Sequence, residues 1–95
     1  MHKLIVSIIR YEKLEAVVTA LKEEGINFTF SEVKGFCKEV HLYHKDIQNR
    51  IRVEIISDEK NVSKIRDIIV SNACCGLGAD GCLSVLSLDD FLDFS

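Results

Sequence analysis

The apolar positions of this chain fall into two periods. Residues 3–9, Lys-Leu-Ile-Val-Ser-Ile-Ile, are nearly continuous in apolarity and rich in β-branched side chains. That is the pattern of a strand covered on both faces and therefore central in its sheet. Between residues 12 and 24, Leu14, Val17, Val18 and Leu21 recur at i, i+3, i+4, i+7, which predicts an amphipathic helix. Gly25 stands where such a helix ends in the left-handed conformation. Ile26, Phe28 and Phe30 then alternate with Asn27, Thr29 and Ser31, a strand with one apolar face that extends to residue 36. Residues 37–49 are polar and follow neither period. They predict a long connecting loop, a kind of segment that often carries function. Ile51, Val53 and Ile55 alternate with Arg52 and Glu54 as a third strand. Ser57 or Asp58 is placed to cap a second helix through residue 71, with Val62, Ile65 and Ile69 as its buried stripe. Residues 74–82 read as a glycine-rich turn, and Leu83, Val85, Leu86 and Leu88 as a fourth strand, followed by a short terminal turn over residues 89–94.

The order is β-α-β, loop, β-α-β. Leu14, Val17 and Leu21 fall 48 positions before Val62, Ile65 and Ile69, a weak echo between the halves. Two split βαβ units in so short a chain point to one α+β domain over residues 1–95, a ferredoxin-like sandwich. Both helices would cover one face of an antiparallel sheet. The chain has nothing left for the other face, so packing through the sheet against further copies is expected.

Composition sharpens this picture. With 95 residues, 47% hydrophobic and 28% charged, and no proline, the chain is an ordinary globule with a single small core. A core of that size gains much from oligomerisation. Its 12 basic and 15 acidic side chains give a net charge of -3 and are scattered. Without a basic block, nucleic acid is not an expected partner. The longest apolar stretch, residues 4–9, is too short to insert in a bilayer, and no signal peptide is read. The cysteines are Cys37, Cys74, Cys75 and Cys82; two are adjacent, which suits free thiols in a reducing cytoplasm rather than a secreted disulfide framework.

Several residue strings go further. Ser31-Glu-Val-Lys-Gly-Phe36, opening the long loop, resembles the start of the T-loop in the PII nitrogen-regulatory signalling family. Strand one with Arg10 and Glu12-Lys-Leu14 resembles that family's opening, Arg50-Ile-Arg-Val-Glu-Ile55 the strand that receives the T-loop, and Asp80-Gly81 with Val85-Leu86 the end of its glycine-rich B-loop. The resemblance implies a cytoplasmic homotrimer with inward-facing sheets and a small-molecule effector, ATP or ADP, in each cleft between neighbours. It also implies a T-loop, here residues 37–49, that responds to the effector and docks on a protein partner such as a transporter or an enzyme. A glycine-rich turn suits phosphate because it exposes backbone N–H groups. Carried over by position, Gly35, Phe36, Cys37 and Glu39 form the T-loop base, Arg50 lies near the phosphates, and Gly76, Asp80 and Gly81 belong to the B-loop within residues 74–82. Asn27, Phe28 and Thr29 would approach the base from the adjoining subunit. The chain differs from the family pattern at Cys37, Glu39, Leu77, Ala79 and Cys82, where two cations are lost and an acid is gained. Each charge-assisted contact removed from a polyanion site costs about 1.5–3 kcal/mol.

A second reading belongs to another class. Cys37, His41 and His44 are spaced C-x3-H-x2-H, and Cys82 replaces a cation at the same cleft. Thiolate and imidazole together suit a divalent metal, or the thiols a redox response. Against this, the loop histidines equally suit a solvated polar loop, and the thiols suit small apolar filling. Glu32 and Glu54 offer paired carboxylates in principle, but no nucleophile–base pair, hydrolase motif or Walker lysine accompanies them. A regulator rather than an enzyme is expected.

Overall fold

Alternation along the first strand sets the architecture. The computed structural model describes residues 1–36, 47–76 and 80–95. In β1 (His2–Arg10), Ile5, Ser7 and Ile9 are buried while Leu4, Val6 and Ile8 between them are only half-buried. One face of this strand is therefore covered by the chain itself, and the other is left to whatever packs against the sheet. The strand is central as expected: the sheet order is β2 (Thr29–Gly35), β3 (Gln48–Asp58), β1, β4 (Gly81–Ser87). All three pairings are antiparallel.

Two helices, α1 (Leu14–Glu23) and α2 (Val62–Ala73), cover that face, each entered through a 3-10 turn. Their buried residues include Val17 and Leu21 from α1 and Ile65 and Ile69 from α2, all on the predicted stripes; Ala73 is also buried, in a last turn of α2 beyond the predicted end at residue 71. These close on Ile5 and Ile9 of β1 and Ile51, Val53 and Ile55 of β3, with Leu14, Phe28, Val62, Leu83 and Val85 packed around them. Gly25 has φ +67 and its N–H donates to the Lys22 carbonyl at 3.0 Å, the left-handed stop the sequence predicts for α1. Asp58 accepts from the Lys60 N–H at 3.1 Å and caps the turn that leads into α2. This is the ferredoxin-like βαββαβ sandwich.

Several boundaries differ from the sequence reading. β2 starts at Thr29 rather than residue 26 and stops at Gly35. β3 starts at Gln48 because its polar first residues still pair, Gly35 with Gln48 and Val33 with Arg50; hydrophobic alternation is blind to rungs held by backbone bonds alone. The predicted loop over 37–49 thus gives up its last two residues. Likewise β4 begins at Gly81, so the predicted turn over 74–82 ends at Asp80. β1 also starts one residue earlier than read, at His2, which opposes Asp58; its carbonyl accepts the Leu88 N–H at 3.2 Å, and its ring lies 4.6 Å from that of Phe91. Residues 88–95 form no regular turn; acidic and apolar positions there follow neither period.

Candidate functional site

Register decides which predicted site residues meet. Arg10 opposes Arg50, Arg50 opposes Val33, Gly35 opposes Gln48 and Ile9 opposes Gly81. The last residues of β1 and β2 and the first of β3 and β4 therefore share one end of the sheet. Gly35, Phe36, Arg50, Gly76, Asp80 and Gly81 all lie at this end. Cys37, Glu39, His41 and His44 lie outside the described residues, as do Leu77 and Ala79.

The uncovered face carries the even-numbered residues of β1 and β3. Rungs across it run Leu86–Leu4–Ile56, then Ser84–Val6–Glu54–Thr29, then Cys82–Ile8–Arg52–Ser31, and end at Arg10–Arg50–Val33. Arg52 and Glu54 form an ion pair on this face at 3.3 Å. Thr29 is four register positions from Arg50 along β3, on the order of 13 Å. Asn27, Phe28 and Thr29 are thus remote from the loop end within one chain. Phe28 and Phe30 turn to the helix side, where their rings lie 6.5 Å apart and line an open groove of about 570 Å³ with Leu14 and Val18 of α1. Glu32 opposes buried Ile51 and Glu54 opposes Thr29, so these two carboxylates lie on opposite faces and do not form a pair.

Asp80 accepts from the Cys75 thiol at 2.8 Å through Oδ1 and from the Gly76 N–H at 3.2 Å through Oδ2. The Arg10 Nε lies 3.5 Å from Oδ1. The thiol bond is the chief reason that the Asp80 carboxyl is held below the ordinary aspartate range; the Gly76 amide and Arg10 add to it, against some desolvation. Arg10 and Arg50 are like charges directly opposite, an arrangement that destabilises a strand pair. Asp80 offsets it. Sequence reasoning missed this cluster because Arg10 is distant in the chain, although an acid four residues after Gly76 was visible. At the start of β4, Gly81 has φ +147, and Ser7 donates to the Cys82 carbonyl at 2.8 Å from inside the core.

The three described thiols differ in their surroundings. Cys74 and Cys82 are exposed, Cys75 is half-buried against Asp80, and Cys82 lies on the uncovered face. Among the described residues no group of three His, Cys, Asp or Glu side chains is placed to hold a metal. No helix of the described residues is long and apolar enough to cross a membrane.

The described residues form a ferredoxin-like sheet that the helices cover on one face only. Residues 2–92 match the family Nitrogen regulatory protein P-II. The chain is 31% identical to Nitrogen regulatory protein P-II 2 of Methanothermobacter thermautotrophicus, over 93% of this chain and 84% of that protein. It is 32% identical to Nitrogen regulatory protein P-II of Synechocystis, over 92% of this chain and 86% of the relative. The chain belongs to the nitrogen regulatory P-II family, a family of regulatory signalling proteins.

Proposed function

We propose that this protein is a cytoplasmic homotrimeric sensor that binds an adenine nucleotide, ATP or ADP, in clefts between copies. The loop between β2 and β3 then presents the bound state to a protein partner, a transporter or an enzyme. The observation that carries this reading is the split of the predicted contacts. Gly35, Phe36, Arg50, Gly76 and Gly81 share one end of the sheet, whereas Thr29 stands four register positions from Arg50 along β3, with Asn27 and Phe28 just before it in the chain. A complete site therefore calls for a second copy. The bare face, with Leu4, Val6, Ile8, Ile56 and Leu86 on it, supplies a surface on which copies would pack.

At the site, Arg50 supplies charge and the glycine-rich turn supplies amide hydrogens to a phosphate. With fewer cations than the family pattern and no cation at Cys82, the affinity falls below that of a fully basic cleft. Signalling then requires the nucleotide to bind one loop state more tightly than the other. The test is calorimetric titration of the purified oligomer with ADP and with ATP. Binding that weakens at least tenfold in Arg50→Ala supports the reading; no heat with either nucleotide at millimolar concentration sinks it.

A further inference from the structure

We propose that Asp80 is a positioning residue rather than a ligand contact: its carboxylate staples the neck of the glycine-rich turn and ties it to the end of β1. Both oxygens are already engaged by the chain. Oδ1 takes the Cys75 thiol at 2.8 Å with Arg10 at 3.5 Å, and Oδ2 takes the Gly76 N–H at 3.2 Å. The partners sit on both sides of the turn. Cys75 and Gly76 precede residues 77–79, Asp80 follows them, and Arg10 is the last residue of β1.

The two ends of a short, glycine-containing segment are thus held together by contacts to an ionised acceptor, which are stronger than neutral ones. The Gly76 amide is engaged by the chain's own carboxylate rather than open to an incoming anion. The ion pair also lets Arg10 stand opposite Arg50 in the same register, which keeps Arg50 in place for a ligand. Cys75 is the unusual member: half-buried, it acts as a hydrogen-bond donor rather than as a filler or a metal ligand. A hydroxyl at that position can donate in the same way; a methyl group cannot.

The ligand-directed part of this proposal rests on the nucleotide reading above, whereas the staple itself is read in the free protein. The experiment is amide hydrogen exchange by NMR on the full chain without ligand, followed at Gly76, in wild type, Asp80→Asn, Cys75→Ala and Cys75→Ser. Exchange at Gly76 should accelerate about tenfold or more in Asp80→Asn and severalfold in Cys75→Ala, while Cys75→Ser stays close to wild type. The amide of Val53, in the middle of β3, provides the internal reference and should not change. Unchanged Gly76 exchange in both Asp80→Asn and Cys75→Ala overturns the staple. ADP titration of the same variants separates the two ideas. Wild type that binds ADP while Asp80→Asn binds tenfold less supports positioning, and equal affinity overturns it. Failure of wild type to bind overturns the nucleotide reading, with the staple still decided by Gly76.

Discussion

Gly81 and Ile8 meet where β4 begins, and the backbones lie so close that a Cβ on Gly81 would overlap the Ile8 carbonyl oxygen. Gly81 also has φ +147, a conformation that side chains rarely adopt. Gly81→Ala should therefore destabilise the fold by about 2–4 kcal/mol, from strain and overpacking together. Gly35, whose Cβ would meet nothing within 4 Å, is the control: Gly35→Ala should stay within about 1 kcal/mol of wild type. Urea unfolding measures both.

Among the described residues Ser7 is the buried polar one, 1% exposed, and its hydroxyl donates to the Cys82 carbonyl. Ser7→Ala should cost about 0.5–1.5 kcal/mol, the net worth of one hydrogen bond. Ile5→Ala, one position along the same face, should cost about 2–5 kcal/mol through lost burial and a cavity. The ratio of the two in thermal unfolding checks that the core is apolar in its energetics and that Ser7 only ties β4 in.

Stability should fall in acid. The Asp58 carboxyl is held below its ordinary value, first by the Lys60 amide it caps and then by the nearby charges of the N-terminal amine, Lys60 and His2, against some desolvation. Asp80 is lowered as well. A group whose folded value is depressed stabilises the native state above its unfolded value of about 3.9, and that contribution is lost as pH falls through the folded value. Unfolding midpoints should fall as pH drops below about 4. Asp58→Asn should flatten part of that slope, with little change in the slope above about pH 5, in a urea series from about pH 2.5 to 7.

Ile56 and Leu86 are 45% and 48% exposed on the bare face of a single chain. If copies pack there, Ile56→Glu should leave the monomer folded yet dissociate the oligomer. Light scattering should read about three times 10.7 kDa for wild type and the mass of one chain for the variant. A wild-type monomer would remove the cleft on which nucleotide sensing depends.

Much of the fold was legible because burial imposes period. The stripes Val17–Leu21 and Ile65–Ile69, the alternation of Ile51, Val53 and Ile55, and the stop at Gly25 each follow from a local rule that the sequence displays. Strand ends were misread where pairing continues under polar side chains, as at Gln48 and His2, because backbone hydrogen bonds leave no mark on hydropathy.

The residue strings at 31–36 and 80–81 marked the family and one end of the candidate site. Tertiary structure alone decided the rest. It put Glu32 and Glu54 on opposite faces, turned Phe28 and Phe30 toward α1, and kept Asn27 and Thr29 away from Arg50. It also brought Arg10 from the end of β1 onto Asp80 at the far end of the chain. Such contacts depend on register and strand order, which arise from the packing of the whole sheet, and no local stretch of sequence contains them.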